Sequence, residues 1–262
     1  MKLAVIKWYL RLQIMINAFL KIPINFKDKC LVYPPSVTEV ISEKKFHLYS
    51  NYLTISQEQL EDELTDYGKK PIKDKLPTPY EYLLVNAYNN SDFRKILEEA
   101  FFFFIKEKIT ILFDRKEIWF CDLEKIVEKI ESVEELTKIP VLREEDFFDF
   151  QNLIRACLGE KEIKPPILNE HPKIKLMKSK ARYRDKIKAQ QGEGIDLETS
   201  LNSICCMNMG LNPLNIGELS YAAVGILTKR YQEKEKYEID VRSLIAGADP
   251  KKVNPTYWIR KL

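Results

Sequence analysis

Residues 101–121 read FFFFIKEKITILFDRKEIWFC, and this stretch decides the class of fold. Four consecutive phenylalanines, 101–104, are far fewer than the ~20 apolar residues needed to cross a bilayer. The run therefore belongs to a helix buried on more than one side. Immediately after it, residues 109–121 hold two β-rich runs joined through the polar Asp114-Arg115-Lys116, the pattern of a hairpin. A buried helix abutting a hairpin predicts a mainly α chain with small β elements, an α+β fold. A second short extended stretch, IPINFKDKCLVY (22–33), folds back on itself before Pro34-Pro35.

Outward from this point, helix-start signals dominate. Ser36-Val-Thr-Glu39, Ser56-Gln-Glu-Gln59, Thr78-Pro-Tyr-Glu81 and Ser132-Val-Glu-Glu135 each fit the capping box, in which a hydroxyl accepts from an early backbone amide and the acid or amide reaches back. Pro79 stands at the first helical position, where its missing N–H does no harm. These signals predict helices near 36–50, 56–66, 79–88 and 91–107, then 122–131 and 144–158, the last closed by Gly159. The acids Glu144, Glu145, Asp146 and Asp149 lie at the start of that last helix. There the helix dipole favours them without any chemistry.

Residues 159–172 (GEKEIKPPILNEHP) carry three prolines and mixed charge, and read as a linker. The expected organisation is an N-terminal extension (1–21), a mixed α+β domain (22–158), the linker, a helical domain (173–247) and a docking tail (248–262). Within the helical part the pattern gives a basic helix (173–190), a helix from Leu197 to Met209, and a long helix from about Gly217 to Ala246.

The 262 residues are 45% hydrophobic, enough to bury one large core or two modest ones. Lys plus Arg is 42 against 39 acids, a net charge of +3, which argues against a dedicated nucleic-acid binder. Only 8 Gly and 2 His count against Gly-rich phosphate loops and histidine metal sites. The lone histidines His47 and His171 have no visible nucleophile beside them. Cys30, Cys121, Cys157, Cys205 and Cys206 are an odd, scattered set and read as ordinary buried thiols. No cofactor, metal site or catalytic constellation is legible, and the chain reads as non-enzymatic.

The first 27 residues hold five basic and no acidic residues. Lys7 and Arg11 interrupt the apolar run, so it is neither a transmembrane nor a targeting segment, and a helix lying on a membrane surface stays as a minor alternative. Trp8, Leu10, Ile14 and Phe19 are fit to cover a core or a partner. Met15 offers an alternative start, which leaves open whether residues 1–14 belong to the functional protein.

From Lys173 to Lys188 eight Lys or Arg face one acid, Asp185. Leu176, Tyr183 and Ile187 fall on one helical face, leaving the cations on the other. That pattern suits a solvated amphipathic helix or one docking an acidic surface, and the chain itself supplies acidic runs at 58–66, 128–135 and 144–149. Binding of nucleic acid through 173–188 stays as an alternative, as does an enzyme whose site is assembled from distant residues. Residues 197–231 are better drawn as a plain helical hairpin than as a DNA-reading helix-turn-helix, because no Arg, Lys, Asn or Gln opens the second helix. The tail ends on Tyr257, Trp258 and Ile259, aromatic and apolar side chains that need a surface to dock on.

Three segments then resemble one family: YPPSVTEVI (33–41), EEDFFDFQNLIRACLGEK (144–161), and a C-terminal block of ARYRDKIKAQQGEG (181–194), GLNPLNIGELSYAAV (210–224) and GADPKKVNPTYWIRKL (247–262). With the late GL-x-P-x-x-I-x-x-L helix entry, the chain is similar to tail assembly chaperones and related tail or baseplate assembly proteins of phages and prophages of Gram-positive bacteria. The resemblance implies a non-enzymatic chaperone or scaffold in the host bacterial cytoplasm, or one retained in the virion tail. Its implied partners are tail proteins (the tape measure protein, tail tube or baseplate components), with self-association open and no membrane. The expected partner-binding residues are Tyr257, Trp258 and Ile259 with the apolar edge Leu211, Leu214 and Ile216. The basic row Lys178, Lys180, Arg182 and Arg184 would steer an acidic partner.

Overall fold

The structure is a computed structural model that describes residues 2–67, 76–123, 125, 138–164, 171–190, 196–206, 210–249, 253 and 255. Among these, the chain is mainly helical with two small antiparallel sheets, as the sequence predicts. The predicted capping box at Ser132, most of the predicted helix 122–131, and Tyr257, Trp258 and Ile259 lie outside the described residues.

Helix α1 (Lys2–Phe19) leads into the strands β1 (Ile24–Phe26) and β2 (Cys30–Val32), paired antiparallel with Asn25 opposite Leu31. Four helices follow: α2 (Val37–Ser42), α3 (Phe46–Thr54), α4 (Gln57–Thr65) and α5 (Pro79–Asn89). All three described capping boxes form. Ser36, Ser56 and Thr78 accept from Glu39, Gln59 and Glu81, whose side chains return to the cap backbone. The predicted helix 36–50 is broken at Glu43–Lys45 into α2 and α3. The break lets Val37 turn toward a small second core while Tyr49 and Leu53 enter the main one.

Helix α6 (Ser91–Ile105) carries the four phenylalanines. Phe101 and Phe104 are fully buried, Phe103 packs on Phe46 and Tyr49, and Phe102 faces solvent. The hairpin forms as β3 (Thr110–Leu112) and β4 (Glu117–Trp119), with Ile111 opposite Ile118. A third strand, β5 (Val141–Leu142), extends this sheet. At two residues it is too short to leave a periodic signal.

Helix α7 (Glu144–Cys157) is the axis of the main core. Phe150 stacks on Phe101 at 5.5 Å between centroids and meets the edge of Phe26 at 5.3 Å. Pairs of this kind add about 1 kcal/mol to simple burial. The helix ends in a Schellman motif: the amide of Glu160 donates to the carbonyl of Arg155 (2.8 Å), that of Gly159 to Ala156 (3.1 Å), and Gly159 takes φ +70°. Helices α8 (Pro172–Gln190), α9 (Leu197–Cys205) and α10 (Tyr221–Ile245) follow. The long helix starts at Tyr221 rather than Gly217. Ile216–Glu218 form a 3-10 turn, and the Ser220 hydroxyl accepts from Ala223 as the true N-cap.

Helices α9 and α10 pack side by side around Ile204 and Val224, with Val37 and Ile216 completing the second core. The start of α10 also bonds to residues near the N-terminal end of the chain. Ser220 bridges to Ser36, the amide of Val37 donates to Leu219 (2.9 Å), and the Ser220 hydroxyl donates to the carbonyl of Phe19 (2.8 Å). Among the described residues, no helix is long and apolar enough to cross a membrane.

Candidate functional site

Helix α1 is apolar on opposite sides. Ile14 and Ala18, four residues apart, lie on the side that packs against α7 and α10. Tyr9, Leu12 and Ile16, with Leu20 in the turn just past the helix end, recur at spacings of three and four on the other side, and all four are exposed. Leu10 and Met15 flank them, also exposed. An apolar stripe on a helix is ordinarily covered, and here only one of the two is. Sequence reasoning saw the apolar content here but not which residues face outward. Periodicity from Tyr9 to Leu20 was the available signal, masked because the inner face is apolar too.

The basic helix α8 docks on the acidic run of α4. Arg182 donates through Nε to Asp62 and through an Nη atom to Glu58 (2.7 Å), and Lys175 pairs with Glu61 (2.7 Å). The hydrogen bond to Asp62 raises the Arg182 guanidinium above its ordinary value. Lys186 lies 5.4 Å from the centroid of the Tyr67 ring, on which Tyr183 also packs at 4.9 Å. The expected division of α8 into one apolar and one cationic face does not hold. Ser179 and Arg182 lie on the covered side, while Leu176, Met177 and Tyr183 are exposed. The reason is charge: buried Asp62 requires a cationic neighbour more strongly than Leu176 requires cover.

The four basic residues named from the sequence thus part company. Arg182 is tied to α4 and Lys178 is half-buried, whereas Lys180 and Arg184 stand exposed, lining an open cleft of about 400 Å³ with Met177 and Tyr183. The apolar edge divides as well. Ile216 (8% exposed) fills the second core, Leu211 packs at its margin, and Leu214 (96% exposed) stands clear in solvent. These three therefore do not form one ridge.

Two acidic centres lie elsewhere. Asp146 accepts from Lys27 (2.7 Å) and Lys29, which hold its carboxyl below the usual range. Glu117 accepts from the Trp119 indole (2.9 Å) and from Arg143 (2.8 Å); the Trp119 bond, against the cost of burial, holds it low. Both are structural ion pairs that pin the β1–β2 turn and β4 to the start of α7. Among the described residues, no group of three His, Cys, Asp or Glu is arranged to hold a metal ion.

Against known proteins, no family model, no curated protein and no solved structure matches the chain.

Proposed function

We propose that this chain is a non-enzymatic assembly protein of the phage-tail type its sequence resembles, a chaperone or scaffold that covers an apolar helix of a tail component such as the tape measure protein. The observation that supports this reading is the outward ridge of α1, Tyr9, Leu12, Ile16 and Leu20, opposite the face already used for the core. Full burial of one such side chain is worth about 1.5–3 kcal/mol, and with 38–61% of each still exposed a partner helix seated along the four gains part of that at every position. The ion pairs of Lys175 and Arg182 with α4 take two of the eight cations of 173–188 away from phosphate, which weighs against nucleic-acid binding by that face of α8.

The test is co-expression with the products of the genes flanking its own, followed by affinity purification and mass spectrometry of the bound chains. A tape measure or other tail protein is expected with the wild type and lost with Leu12→Ser/Ile16→Ser. Recovery of no tail protein by the wild type under gentle conditions overturns the reading.

A further inference from the structure

Helix α8 carries two cationic rows. The inner row, with Lys175, Arg182 and Lys186, is turned toward α4 and Tyr67. Lys173, Lys180, Arg184 and Lys188 follow at spacings of seven, four and four, and place a second row on the opposite side of the same helix, where all four are exposed. At 1.5 Å of rise per residue this outer row is about 22 Å long. Apolar side chains accompany it: Leu176 and Tyr183 on one flank, and Met177 (70% exposed) within the row, one turn from Lys173 and Lys180. Between them lies the open cleft of about 400 Å³ bounded by Met177, Lys180, Tyr183 and Arg184.

We propose that this outer face of α8 is a docking surface for an acidic amphipathic helix. The inference rests on the reading of the chain as a binding protein and adds to it a second surface with a partner of defined chemistry. Charge complementarity selects the occupant. The outer row presents cations at helical repeat distances, and Asp185, the one acid of α8, lies toward its edge. A partner helix with Asp or Glu every three to four residues meets that row along its length. These apolar side chains select protein over nucleic acid or lipid headgroups. Leu176 and Met177 offer nothing to phosphates, whereas a flexible thioether in a shallow cleft adapts to the apolar side chains of a helix. The inner ion pairs fix α8 against the body, so the outer row is held ready without further ordering.

The probe is a fluorescently labelled synthetic helix built on the repeat Leu-Glu-Glu-Leu-Leu-Glu-Ala, titrated with the full chain and followed by anisotropy. Wild type is expected to bind in the micromolar range, more weakly as salt rises. Lys180→Glu/Arg184→Glu, both at exposed positions, is expected to weaken binding by about tenfold or more. Lys229→Glu/Lys236→Glu makes the same charge change on α10 and is expected to leave binding unchanged. Leu12→Ser/Ile16→Ser removes the α1 ridge and is expected to bind the probe as wild type does, so the two surfaces are judged separately. The proposal falls if wild type ignores the probe, or if the α8 variant binds it like wild type. It also falls if oligothymidylate or phosphatidylglycerol vesicles bind more tightly than the probe and lose binding in that same variant.

Discussion

Arg182 on α8 donates to the buried carboxylate of Asp62 on α4, 120 residues earlier in the chain. Asp62 is 4% exposed, so its charge depends on that guanidinium and on little water. Removing one partner of such a pair costs more than the pair contributes, because an uncompensated charge stays buried. Arg182→Ala is therefore expected to lower stability by about 1–3 kcal/mol, less than a fully buried pair since Arg182 keeps partial access to water. Thermal denaturation at low and high salt checks this. An Arg182→Ala melting temperature equal to wild type would show that α8 is held by other contacts.

The Schellman turn after α7 makes a sharper comparison. At Gly159, with φ +70°, an added Cβ would lie 3.0 Å from the backbone oxygen of Ala222, whereas at Gly210, with φ +73°, it meets nothing within 4 Å. Both positions impose the left-handed strain, about 1 kcal/mol for an L-residue, but only Gly159 adds a clash with rigid backbone. Gly159→Ala should lose about 2–3 kcal/mol and Gly210→Ala about 1. Chemical denaturation of both variants measures the difference, and equal losses would mean that α7 and α10 separate freely.

Tyr80 on α5 is 2% exposed, and its hydroxyl lies 2.9 Å from the carbonyl oxygens of both Lys116 and Leu142. Burial pushes the phenol well above its ordinary range, so it stays a donor at any pH the protein meets. Tyr80→Phe keeps the ring and deletes the donor, at an expected cost of about 1 kcal/mol. Hydrogen exchange should show the loss concentrated at β4 and β5. A uniform change across the chain would count against this local role.

Acid stability follows from Asp146 and Glu117. Both carboxyls are held below their ordinary values, by the Lys27 and Lys29 hydrogen bonds and by the Trp119 hydrogen bond with Arg143. The folded state therefore binds these protons less readily than the unfolded chain, and stability rises with pH across that interval. Their contribution is complete above about pH 5 and is lost as pH falls below the ordinary carboxylate value of about 4 toward their lowered values. Asp146→Asn should flatten part of that acid limb in melting experiments; an unchanged limb removes Asp146 from the account.

What the sequence made legible was local. The capping boxes at Ser36, Ser56 and Thr78, the turn at Gly159 and the hairpin around Asp114–Lys116 are each specified by residues within one turn of one another, so no distant contact was needed to read them. The facing of α8 was not legible, because it is set by Asp62 and Glu58, more than a hundred positions away. The same limit applied to α2 and α3, whose separation depends on two cores drawing Val37 and Leu53 in different directions. On α1 the pattern was ambiguous for another reason: an inner face of Ile14 and Ala18 and an outer face of Leu12 and Ile16 look alike until one of them is covered.

Ser220 fastens the carbonyl of Phe19 and the backbone of Ser36 to the start of α10, joining positions 184 apart in the case of Ser36 and Ser220. During translation at about 5–20 residues per second, those partners wait for about 10–40 s before residue 220 leaves the ribosome. Until α7 has been made as well, the inner side of α1 has neither α7 nor α10 to rest on. The nascent chain thus passes through an early stage in which both sides of its first helix are uncovered, and the inner one is buried in two steps, by α7 and then by α10.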